Sequence, residues 1–165
     1  MTKRAILLEA LASTPADVAR LARGLDEPAA AWRPAGGWSC HDVLAHLVAI
    51  EPLYLARLQR IVTENEPTAA ALLPDESTHD PALPAAALVE LFGELRGMTC
   101  GWLYELSPAA WQRQAIHETH GRTTLRFLVQ ALVAHDIEHT SQLVTIIGQW
   151  RLAKRQFANV PEGGL

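Results

Sequence analysis

The chain has 165 residues, 14 Lys and Arg against 18 Asp and Glu, a formal net charge of −4 and 49% hydrophobic residues. That length suits one domain, residues 1–165, large enough to bury a full core. The acid excess and the lack of any Lys/Arg run exclude the basic face that nucleic-acid binding needs, and no stretch reaches the 18 apolar residues of a membrane span.

Leu and Ala dominate and β-branched residues are sparse, which favours helices. The first predicted helix runs from Lys3 to about Leu25, with Pro15 as a kink or break and Thr14 able to restart it. The second runs from Ser39 to about Asn65. Ser39 and Asp42 form a capping-box variant there, and Val43, Leu47, Ile50, Tyr54, Leu58 and Ile61 mark one face. Pro52 falls inside that run. Residues 66–84, with Pro67, Pro74, Pro81 and Pro84, form a long crossover between helices 2 and 3.

The third helix spans about Pro84 to Glu105, with Leu88, Leu91, Phe92, Leu95, Met98 and Trp102 as its apolar side. Gly93, Gly97 and Gly101, four apart, suggest close backbone packing there. Residues 107–122 read as irregular, with an extended stretch or tight loop at 114–121. The fourth helix runs from about Thr123 to Gly148, capped by Thr123 or Thr124 and closed by the glycine. Residues 150–165 are expected to fray. Four long helices with one long crossover make an all-α fold, a four-helix bundle. The two cysteines, Cys40 and Cys100, give no disulfide framework. With no signal-peptide pattern at the N-terminus, a cytoplasmic location is expected.

Seven histidines raise the chance of coincidence: a His-x-x-x-His pair arises about 0.3 times at random in such a composition. Position distinguishes His135 and His139. They interrupt the apolar stripe Leu128, Leu132, Leu143, Ile146, and a four-residue step puts both imidazoles on one face. Two unpaired imidazoles in a core are costly, and one cation satisfies both. His46 repeats the pattern on the second helix. Three neutral histidines from two helices form a half-open site of the kind zinc occupies, with a position left for water or substrate. No His-Glu-x-x-His, Cys-x-x-Cys or P-loop occurs.

Three passages resemble the DinB-like (DinB/YfiT) superfamily: residues 32–39, WRPAGGWS; residues 41–47, HDVLAHL, followed by Glu51; and residues 134–143, AHDIEHTSQL. The resemblance implies an up-down-down-up four-helix bundle, often a homodimer, with zinc or nickel at His46, His135 and His139. It implies a metal-dependent enzyme acting on a small electrophilic substrate. The candidate activities are a hydrolase or a thiol S-transferase using a low-molecular-weight thiol. A non-catalytic metal or small-ligand binding protein is the alternative. His135 stands where some relatives carry Glu, which reduces the likeness to the mycothiol-dependent isomerase branch. The apolar surface around Trp102 is a candidate dimer face.

Around the histidines several roles stay open. Asp42, one turn before His46, either orients that ring or caps its helix. Trp38 and Tyr54 either wall a pocket or fill core. Arg57 either meets an anionic substrate group or forms a surface ion pair, and Glu138 either supports His135 or faces solvent. His117 and His120 lie on the surface or line a pocket mouth.

Overall fold

A computed structural model describes residues 2–70 and 83–158, with the backbone alone for 157 and 158. Residues 71–82, which include His79, Pro74 and Pro81, and the last residues, 159–165, lie outside the described part.

Thr2 accepts a hydrogen bond from the Ala5 amide (3.2 Å) and opens α1, Lys3–Ala22. Pro15 does not break this helix. Its missing N–H would have served the Leu11 carbonyl, and that oxygen instead accepts from Arg96 on another helix (3.4 Å). α1 stops short of the expected Leu25 because Gly24 takes a left-handed φ of +79°. A short α2, Glu27–Ala31, absent from the periodicity reading, follows its Asp26 cap. α3 spans Cys40–Thr63 with the capping box of Ser39 and Asp42 formed in both directions. Pro52 stays inside it.

α4 spans Ala85–Glu105. Its buried stripe is Leu88, Phe92, Arg96, Thr99 and Leu103, whereas the expected Met98 is 63% exposed. A Cβ at Gly93 would lie 3.9 Å from Pro15, an ordinary contact, and nothing lies within 4 Å of one at Gly97 or Gly101, so none of the three glycines marks the expected close packing. Trp102 is half-buried against the lower part of the core. The irregular stretch contains a single 3₁₀ turn, Ala110–Gln112, and a small sheet. β1 (Thr68–Ala69) pairs parallel with β2 (Gln114–His117), which pairs antiparallel with β3 (Gly121–Thr124).

α5 begins at Leu125, with Thr124 capping Phe127 (3.3 Å), and runs to Ala158, well past Gly148. Glycine ends a helix only when the chain turns there. Here the helix continues, and Trp150 packs on Trp32 at 5.7 Å. No helix among the described residues is long and apolar enough to cross a membrane.

The four long helices form an up-down-down-up bundle. α1 and α3 each pack against both α4 and α5. Arg4 reaches the Leu103 carbonyl and Arg96 the Leu11 carbonyl, so α1 and α4 run antiparallel. His41 meets the Leu83 carbonyl and Glu51 meets Arg96, so α3 and α4 run parallel. Parallel neighbours place the end of one helix a full helix length from the start of the next, which is why the 64–84 crossover is long.

Across the middle of the bundle runs a polar layer with one residue from each long helix: Thr14, Glu51, Arg96 and Asp136. It divides the core into an upper half around Val43, Leu47, Leu88, Phe92 and Leu143, and a lower half around Leu11, Leu58, Ile61, Leu103 and Leu128. Arg96 is 1% exposed and every N–H of its guanidinium has an acceptor. Nε and Nη2 hold Glu51 (both 2.8 Å), Nη2 and Nη1 hold Asp136, and Nη1 also reaches Leu11. Burial alone would raise the Asp136 carboxyl, but the hydrogen bonds and charge of Arg96, with the neighbouring His135 and Thr14, outweigh it and hold the group below its ordinary value of 3.8. Its stabilisation is therefore complete above pH 3.8 and is lost as pH falls through the depressed value.

Truncating Arg96 strands two buried carboxylates. Arg96→Ala is expected to lower stability by about 3–5 kcal/mol in urea unfolding at neutral pH; a loss under about 1 kcal/mol, the range of exposed pairs, would contradict this placement.

Candidate metal centre

The backbone explains how the histidines meet. α3 and α5 run antiparallel in contact, so His46 of one faces His135 and His139 of the other. The four-residue step along α5 keeps its two rings on one face, with centroids 4.4 Å apart. One ring nitrogen from each histidine can be chosen so that all three lie within 4.8 Å of one another. Nε2 of His46 stands 3.0 Å from Nε2 of His135.

His46 is 7% exposed and His139 8%, while His135 is half-buried. Burial, and then the nearby His135 ring, hold His139 below the ordinary histidine range, which favours the neutral imidazole that ligates metal. His139 Nδ1 lies 2.9 Å from Gln142 Oε1, a contact that suits the tautomer with its proton on Nδ1. Nδ1 of His135 is buried without a hydrogen-bond partner, and Asp136 Oδ1 lies 4.0 Å away.

The donor set therefore fits a divalent transition metal: three convergent imidazole nitrogens, with Gln142 against the outer nitrogen of His139.

These rings form one wall of a cavity of about 430 Å³. Trp38, Ile50, Tyr54, Arg57, His117, Glu138 and Gln142 complete its lining. Trp38 stacks on His139 at 6.0 Å and meets His46 edge-on at 5.2 Å. Gly36, at φ +71°, makes the turn closed by the Gly37 amide on the Pro34 carbonyl, and that turn delivers Trp38 to the cavity. Arg57 lies over the Tyr54 ring at 5.3 Å and donates to the Ala70 carbonyl. Burial raises the Tyr54 hydroxyl above its usual value, so it is neutral at physiological pH. His117 arrives on β2, from the sheet, and burial followed by its charged neighbours lowers it.

Of the residues singled out in the sequence, Trp38, Tyr54, Arg57 and Glu138 thus share the cavity with the three histidines. Asp42 does not join them. Its carboxylate accepts from the Ser39 amide and hydroxyl (both 2.7 Å) and pairs with Arg33, so of its two readings the helix cap is the observed one. His120 stands outside this cavity, in a groove with Arg122 and Arg126.

Gln142 and the Arg96 layer escaped the sequence reading. A signal for Arg96 was there: it occupies a buried-stripe position at the same four-residue step from Phe92 that marked the histidines on α5. Gln142 carries none, because its role depends on the His139 rotamer.

A family model for the DinB superfamily matches residues 10–143. Among solved structures, YfiT from Bacillus subtilis, described as a probable metal-dependent hydrolase with an unusual four-helix bundle topology, superposes with a TM-score of 0.76 at 20% identity, covering 90% of this chain and 89% of that one. A DinB-like protein from Bacillus subtilis, YjoA, gives a TM-score of 0.61 at 18% identity, over 87% and 91% of the two chains. At such identities the likeness is one of fold. No curated protein matches the sequence.

If Asp42 serves only the helix terminus, Asp42→Ala should cost about 1 kcal/mol of stability and leave the His46 ring resonances unmoved in NMR spectra. A displaced His46 signal in the folded variant would return Asp42 to the site.

Proposed function

The chain belongs to the DinB superfamily, and from that premise we propose that it is a metal-dependent enzyme that activates water or a small thiol against a small electrophilic substrate. One observation carries the reading: three imidazole nitrogens from two helices converge within 4.8 Å in the wall of a 430 Å³ cavity. His46, His135 and His139 would hold a divalent ion, which would supply Lewis-acid activation of a water or thiol nucleophile near neutral pH.

The chain's own residues set the conditions for that chemistry. Gln142 meets His139 Nδ1 and favours the tautomer whose Nε2 is the basic nitrogen. Trp38 packs against two of the rings and limits their rotation. Ile50 and Tyr54 make the adjoining wall apolar and lower the local dielectric. Arg57 and Glu138 place opposite charges on the lining, which suits a polar substrate. A volume near the lower end of ligand pockets suits a small molecule. Imidazole ligands suit zinc, nickel, copper and iron, and zinc is the preferred assignment because it accepts three protein nitrogens and keeps one open position. Hydrolysis and thiol transfer share this machinery, and the YfiT likeness favours hydrolysis.

Elemental analysis of the purified protein should find about one equivalent of transition metal, as expected of a three-histidine site. Gln142→Leu should weaken metal binding by about 10–100-fold, and His46→Ala or His139→Ala by more. Assays of the metal-loaded protein should then show ester, amide or thiol-dependent turnover that a chelator abolishes. A protein that binds no transition metal at micromolar concentration overturns the reading; binding without turnover over hydrolytic and thiol-transfer panels overturns its catalytic half.

A further inference from the structure

The buried layer next to the histidines does not balance its charge. Glu51 and Asp136 bring two carboxylates and Arg96 one guanidinium, so the cluster carries a net charge of −1 among side chains at most 4% exposed. Arg96 has no donor left to offer, since each of its N–H groups is engaged. Thr14 adds only a neutral hydroxyl, 3.1 Å from Asp136 Oδ2. Among the described residues no other Lys or Arg pairs with either carboxylate.

Such surplus charge away from water is costly unless a cation lies nearby. One side of Asp136 faces Arg96, and beside Oδ1, at 4.0 Å, is His135 Nδ1, the buried ring nitrogen without a hydrogen-bond partner. The other nitrogen of that ring is the one 3.0 Å from His46. His135 thus bridges the surplus negative charge and the point where the three histidines converge. The same helices carry both groups: His46 and Glu51 on α3, and His135, Asp136 and His139 on α5.

Building on the metal reading of the histidines, we propose that the Glu51–Arg96–Asp136 layer is the buried counter-charge of the ion, with Asp136 a positioning residue acting through His135. Three neutral imidazoles give a divalent ion no anionic ligand. The compensating charge is placed one shell out, where it attracts the ion without occupying its open position. The layer that ties the four helices together then also sets the affinity of the site.

The test is chelator competition with Zn²⁺ and Co²⁺ on the full-length protein, with the fold of each metal-free variant checked by circular dichroism. Glu51→Gln keeps the shape of the side chain and brings the layer to neutrality. It touches none of the three histidines in sequence or hydrogen bonding, yet is expected to weaken both ions about tenfold. Asp136→Asn makes the same charge change from the other carboxylate and should lose at least as much. Thr14→Val removes a hydrogen bond from the layer without changing its charge, and should bind both ions like the wild type. Wild-type affinity in folded Glu51→Gln and Asp136→Asn, or an equal loss in Thr14→Val, overturns the proposal while leaving the metal centre intact. A wild-type protein that binds neither ion overturns the metal reading itself, which is a separate outcome.

Discussion

Each of the four long helices contributes one residue to the polar layer at mid-bundle, and Arg96 is the group that the other three depend on. A guanidinium has a rigid planar fork with donors in fixed directions. To satisfy all of them, Glu51 must stand on one side, Asp136 on the other, and the Leu11 carbonyl must be exposed by a proline four residues later. A helix that slid by one turn against its neighbours would leave buried charges unpaired. Apolar packing above and below the layer tolerates small shifts; this layer does not.

Register is what the site requires. His46 lies five residues before Glu51, and His135 and His139 flank Asp136, so pairing the carboxylates through Arg96 also aligns the three imidazoles. The histidines then meet from two antiparallel helices without a loop to position them, which suits a site needing fixed geometry. The remaining walls are recruited from less regular parts of the chain. Trp38 comes from the turn before α3, and His117 from a strand of the small sheet. Rigid helices thus hold the three histidines, and the connecting segments contribute to the cavity walls.

That division also accounts for what the family relationship does and does not convey. The bundle and its topology are shared with YfiT at 20% identity. Packing rules constrain helix faces more than individual side chains, so a fold survives extensive substitution. Function is argued from the site and not from the fold, and there Arg57, Glu138 and His117 line the cavity around the histidines.

The sequence by itself determined the helical class, the ends of most helices and the three converging histidines. These follow from local rules: a 3.6-residue period, side-chain caps such as Ser39 with Asp42, and polar residues interrupting apolar stripes. The small sheet, the continuation of α5 past Gly148 and the unbroken passage of α1 through Pro15 were decided only in the tertiary structure. In each case a distant partner overrode a local signal: β1 for the strand at 114–117, Trp32 for Trp150, and Arg96 for the orphaned Leu11 carbonyl. Arg96 itself shows the limit most clearly. Its place in the stripe of α4 was readable, but an arginine there is affordable only because two carboxylates from other helices meet it, and no periodicity along one helix reports what stands across from it.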